Sequence, residues 1–139
     1  MIVLDTNVLS ELMRSAPDAA VTHWVATQSA ASLFITTITQ AEILHCVRLL
    51  PQGRRRNAIA AAVDAMFEED FVGRILSFSS HAAHAYADVA VARRQSGRPI
   101  SQFDAQIAAI AKSAGAGVAT RNVADFEGCG ISVIDPWRS

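Results

Sequence analysis

Apolar residues follow two rhythms along this chain. Short β-rich apolar runs at 2–4, 33–36, 74–78, 117–120 and 131–134 read as buried strands. Between them, apolar positions recur three and four residues apart. Val8, Leu9 and Leu12 mark a helix over 6–13, and Val21, Trp24 and Val25 a second over 19–28. Ile43, Leu44 and Val47 mark a third over 39–50, closed by Pro51-Gln52-Gly53. Ile59, Val63, Met66 and Phe67 face inward from a longer helix over 54–70. Two more are predicted over 79–95, ending near Gly97 and Pro99, and over 101–114, followed by Gly115 and Gly117. Strands alternating with helices predict βαβ units and an α/β fold: a three-layer α/β/α sandwich around a mostly parallel central sheet. No repeat, low-complexity segment or long linker interrupts the pattern, so 1–139 is expected to be a single domain.

Four acidic residues occupy special places in that pattern. Asp5 follows the first strand, Glu42 and Asp104 lie near predicted helix starts, and Asp125 follows the strand at 117–120. In an open α/β sheet such positions converge on the edge where ligands bind. Each also has a purely structural reading. Asp5 suits a helix N-cap. Thr39-x-x-Glu42 and Ser101-x-x-Asp104 have the spacing of capping boxes. Asp125 with Asn122 suits an Asx turn. The two kinds of reading are compatible, because a carboxylate in a first helical turn is kept ionised by the helix dipole. Carboxylates gathered at one sheet edge repel one another unless a hard cation lies between them. The combination therefore predicts a metal site for phosphate chemistry. Oxygen donors select Mg²⁺ or Mn²⁺. His81-x-x-His84 with His45-Cys46 lacks a paired zinc motif, and the histidines are expected on helix faces. Glu11, Asp18, Asp88, Glu127 and Asp135 read as surface or turn groups.

Composition sharpens the picture. Hydrophobic residues make up 51% of the chain, which fits either a further buried surface, such as a dimer or partner interface, or a plain alanine-rich bias. The net charge of −1 supplies no global field for nucleic acid. Arginines do cluster, at 54–56 and at Arg93, Arg94 and Arg98, so a local basic rim is the open alternative to solvated helix faces. Cys46 and Cys129 make no disulfide framework, and Cys46 reads as a small core residue. The opening Met1-Ile2-Val3-Leu4-Asp5 lacks a basic region, and no apolar run reaches membrane-spanning length. A soluble, cytoplasmic protein with no membrane contact is expected.

Together, the apolar strand ending Asp5-Thr6-Asn7, the Thr39-x-x-Glu42 pair, the Phe-Asp-Ala-Gln-Ile-Ala of 103–108 and the Ala-Thr-Arg-Asn…Asp-Phe of 119–126 resemble a PIN-domain protein. More narrowly, the chain resembles VapC/FitB-type toxins of prokaryotic toxin–antitoxin pairs. Asp135-Pro136-Trp137 and Leu50-Pro51-Gln52-Gly53-Arg54-Arg55 resemble the FitB branch. The resemblance spans the chain. It implies a Mg²⁺- or Mn²⁺-dependent ribonuclease acting on RNA. It also implies a homodimer within a larger hetero-oligomer, held by a small cognate antitoxin. Such antitoxins commonly bind DNA, so contact with operator DNA would run only through the antitoxin.

The family's acidic set falls on Asp5, Glu42 and Asp104, which are expected to ligate metal and carry catalysis. A fourth family position falls on Asn122, where many members have Asp; the change removes one negative charge, and Asp125 is the candidate to complete the site. Thr6, Asn7 and Thr120 are expected to hold these groups by hydrogen bonds. Arg94, Arg98 and Arg121 are candidate contacts for flanking RNA phosphates. Three rival functions remain. A haloacid-dehalogenase-type phosphatase would need a second Asp where Asn7 stands. A catalytically weak toxin subunit would act as co-repressor with a DNA-binding antitoxin. A nuclease with the same site would cut DNA.

Overall fold

Strand β1 (Ile2–Leu4) lies at the middle of a five-stranded, wholly parallel sheet of order β3-β2-β1-β4-β5. The computed structural model describes residues 1–139 throughout. After β1 come α1 (Thr6–Leu12), α2 (Ala19–Thr27), a 3₁₀ turn at Ala30–Ser32, β2 (Leu33–Thr36), α3 (Thr37–Leu49) and α4 (Arg54–Ala65). A π-helical turn, Met66–Asp70, leads to β3 (Ile75–Leu76), and α5 (Ser80–Gln95) and α6 (Gln102–Ser113) follow. The chain ends with β4 (Gly117–Ala119), α7 (Val123–Phe126) and β5 (Val133–Ile134).

Both faces of the sheet are covered, which explains why its strands are continuous apolar runs rather than alternating ones. Successive strand side chains point to opposite faces. Val3 and Val118 therefore join one core with Val89, Ile107, Ala108, Ala111 and Phe126. Leu4 and Ala119 join the other with Val8, Val21, Trp24, Ile35, Ile43, Val63 and Phe67. Helices α1 to α4 supply the second core, and α5, α6 and α7 the first. The three-layer α/β/α sandwich is the expected one.

Several local expectations need correction. The strands predicted at 74–78 and 131–134 pair over two residues each. The helix predicted over 54–70 changes to π-helical hydrogen bonding after Ala65, with the Phe71 amide donating to the Met66 carbonyl. The loop after β4 contains α7. Helix α3 begins one turn early: its N-cap is Thr36, whose hydroxyl accepts from the Thr39 amide at 3.2 Å. Thr39 and Glu42 are thus not a capping box, and Glu42 stands in the second turn. Cys46 is exposed, not a core residue. No helix is long and apolar enough to cross a membrane.

Candidate active site

The strand order reverses at β1, with β2 on one side and β4 on the other, so the crevice beyond their carboxyl ends is where an α/β sheet binds ligands. Leu4 pairs with Ala119, so the next residues, Asp5 and Thr120, emerge side by side. Asp5 also caps α1. Its Oδ1 accepts from the Thr6 amide at 2.8 Å, and its Oδ2 accepts from the Thr120 hydroxyl at 2.8 Å and the Asn7 amide group at 3.3 Å. The structural and functional readings of Asp5 therefore coexist.

Thr6 reaches the other way. Its hydroxyl donates to Oε1 of Glu42 at 2.8 Å, and it lies 3.0 Å from the Thr39 hydroxyl. One hydroxyl carries one proton, so Thr39 is the donor in that second contact. Asp104 stands in the first turn of α6, capped by Ser101, whose Oγ accepts from the Asp104 amide at 3.3 Å. The Thr120 hydroxyl also accepts from the Asn122 amide at 3.0 Å, which ties the loop after β4 to the same cluster.

Asp5, Glu42, Asp104 and Asn122 line one cleft of about 550 Å³ that has no apolar side chain in its walls. Asp5 is only 6% exposed. Burial pushes its carboxyl up from 3.8 to about 6, further helped by the charges of Asp104 and Glu42, while hydrogen bonds from Thr120 and Thr6 hold it down. Asp104 is also raised, first by burial and then by Asp125, with Ser101 and Arg93 opposing.

These carboxylates share a cleft without forming a closed cage: no three His, Cys, Asp or Glu side chains stand in metal-clasping geometry. The open cleft lacks the closed four-ligand shell of a structural ion. Mg²⁺ keeps several waters and takes one or two carboxylates plus substrate phosphates rather than an all-protein shell. Burial raises both Asp5 and Asp104, and a cation in the cleft would relieve the charge each carries when ionised.

Other predicted residues lie outside the cleft. Asp125 is exposed and lines an adjoining cavity with Arg121, Trp137 and Asn122, the last shared by both spaces. Arg98 is engaged by the Ala124 carbonyl and Glu127, each at 3.1 Å. Arg94 is exposed on α5. The Arg121 guanidinium lies 5.2 Å from the centre of the Trp137 ring. Arg93 is no part of a basic rim: it is 5% exposed and donates to the carbonyls of Arg98, Asp125 and Glu127. The four histidines are exposed on helices, as expected.

Three residues in the cleft wall, Ser10, Glu11 and Arg14, are not foreseen from the sequence. Glu11, taken for a surface group, is 8% exposed. It accepts from Arg14 at 2.9 and 3.2 Å and from the Asp18 amide at 3.0 Å, and so sets Arg14 at the rim. Spacing held part of the clue: Asn7 and Glu11 lie four apart on one stripe of α1, and Arg14 follows just past its end.

Comparison with known proteins identifies the family and the fold. Residues 2–127 match the PIN domain family model. The VapC ribonuclease Y4jK of Sinorhizobium fredii is 39% identical over 99% of each chain. The crystal structure of FitAcB from Neisseria gonorrhoeae contains a chain that superposes with a TM-score of 0.94 at 34% identity, covering 100% of both chains. A structure of FitAB bound to the IR36 DNA fragment gives the same TM-score and identity, covering 99% of this chain and 96% of that one.

Proposed function

The chain belongs to the PIN-domain family, among the VapC and FitB toxins, and from that premise we propose that it is the ribonuclease component of a toxin–antitoxin pair. The observation that carries the reading is the convergence of Asp5, Glu42 and Asp104 on one polar cleft at the strand-order reversal. In it, Asp5 and Asp104 would hold Mg²⁺ or Mn²⁺, with Glu42 directly or through water and Asn122 or Asp125 at the margin; an ion held there would supply charge neutralisation at the scissile phosphate and lower the pKa of a water.

The chain's own groups do the rest. Thr120, Thr6 and Asn7 hold the Asp5 carboxylate, and the hydrogen bonds from Thr120 and Thr6 favour its ionised form. Thr6 fixes Glu42 so that its free oxygen is available to the cleft. Glu42 or Asp104 orients the attacking water in line with the leaving oxygen and receives its proton. Arg14, pinned by Glu11, adds a cation at the rim for the RNA backbone.

The protein acts in the cytoplasm, as a homodimer within a complex with a small DNA-binding antitoxin. Phe78, Val91 and Phe103 are exposed apolar side chains available to such association. The FitAB complex with DNA and the −1 net charge support operator contact through the antitoxin alone. The alternative is a catalytically weak subunit serving as co-repressor, and the neutral Asn122 in the cleft wall favours it. Incubating the purified chain with matched RNA and DNA oligonucleotides, with Mg²⁺, Mn²⁺ or EDTA, decides. RNA cleavage that needs the ion supports the nuclease; tight antitoxin binding without hydrolysis supports the co-repressor.

A further inference from the structure

The cavity adjoining the cleft has an unusual floor. Trp137 is partly buried against the core, and its backbone amide donates to Oδ1 of Asp135 at 2.9 Å, which anchors the chain where the ring stands. Arg121 is exposed and lays its guanidinium over that ring. A planar cation on an aromatic ring leaves its outward face as a second stacking surface. The space is about 760 Å³, within the range of ligand clefts, and reaches the carboxylates across Asn122.

Charge says what the cavity takes. Its walls carry Arg121 and Arg138 but also Asp125 and Asp135, and Arg138 lies 3.8 Å from Asp135. Two cations against two anions give no net pull on a phosphate. A neutral, flat, polar-edged group fits better. We propose that this cavity is a nucleobase subsite: it stacks one unpaired base of a single-stranded RNA, next to the scissile phosphate, on the Arg121–Trp137 pair. The proposal rests on the ribonuclease reading and adds to it the site that selects unpaired RNA.

An abasic scan tests it. A single-stranded RNA oligonucleotide with a mapped cleavage site is prepared with each base near the cut removed in turn, which keeps every phosphate. For the unmodified protein, one flanking position should raise KM by about tenfold when its base is missing, with much less change in kcat. Arg121→Ala should show that loss with the intact RNA and no further loss with the abasic one. Arg121→Lys keeps the charge without the plane and should behave like Arg121→Ala. Trp137→Phe, which keeps a ring, should lie between. Full recovery by Arg121→Lys, or indifference to every abasic position while the RNA is still cut, would overturn the subsite and leave the nuclease reading standing. Absence of RNA cleavage by the unmodified protein would instead overturn that reading, and the subsite with it.

Discussion

Thr120 donates its hydroxyl hydrogen to Oδ2 of Asp5 at 2.8 Å, which joins the ends of β4 and β1 across 115 positions of chain. The bond favours the ionised carboxylate, against the burial that raises it to about 6. Thr120→Val should therefore raise the Asp5 titration above about 6 in the metal-free protein, while Thr120→Ser should leave it in place. Carboxyl NMR in EDTA over pH 4 to 8 reads the shift.

The same carboxylate carries a stability cost. Its folded pKa lies above the ordinary 3.8, so the folded state binds the proton more tightly than the unfolded state does. Relative stability is then full below about pH 4 and falls as pH rises through about 6, by about 3 kcal/mol in all. Asp5→Asn cannot ionise and escapes that loss. In EDTA, the melting temperature of Asp5→Asn minus that of the unmodified protein should rise between pH 4 and pH 7 and then level off. A flat difference would contradict the assignment.

A cation that relieves the cleft should also stabilise the fold. Millimolar Mg²⁺ or Mn²⁺ at pH 7.5 should raise the melting temperature by a few degrees, reversibly with EDTA, following ordinary ligand linkage. The increment should shrink in both Asp5→Asn and Asp104→Asn.

Arg93 tests stability away from the cleft. Replacing it with Met keeps much of its bulk but leaves the carbonyls of Arg98, Asp125 and Glu127 without their donor. Destabilisation of about 3 kcal/mol is expected in urea titrations, with the loop after β4 losing amide protection first.

Much of this arrangement was legible in the chain. Ile2–Leu4 and Leu33–Thr36 announced themselves because parallel strands buried on both faces are unbroken apolar runs. Ser101 and Asp104 were readable because a Ser cap is a local signal. Thr36 was not: two threonines three apart, 36 and 39, offered rival caps, and only the strand end decides between them. The two-residue pairings of β3 and β5 depend on their neighbours, not on their own residues. Glu11 and Arg93 were misread because a charge buried by tertiary partners looks like a surface charge in sequence. Asp5 was readable from a strand end and Asp104 from a helix start, whereas the place of Glu42 and its Thr6 bridge required the fold itself.

The most direct measurement is RNA cleavage by Asp104→Asn beside the unmodified chain, both in Mn²⁺ and both checked by circular dichroism. Asp104 is half-buried at the start of α6, and its neutral replacement keeps the backbone amide that Ser101 caps. Cleavage should fall at least about 100-fold with the spectrum and fold unchanged, because the variant loses the carboxylate that would hold the ion and orient the water. A well-folded Asp104→Asn that cuts RNA as fast as the unmodified protein would contradict the site.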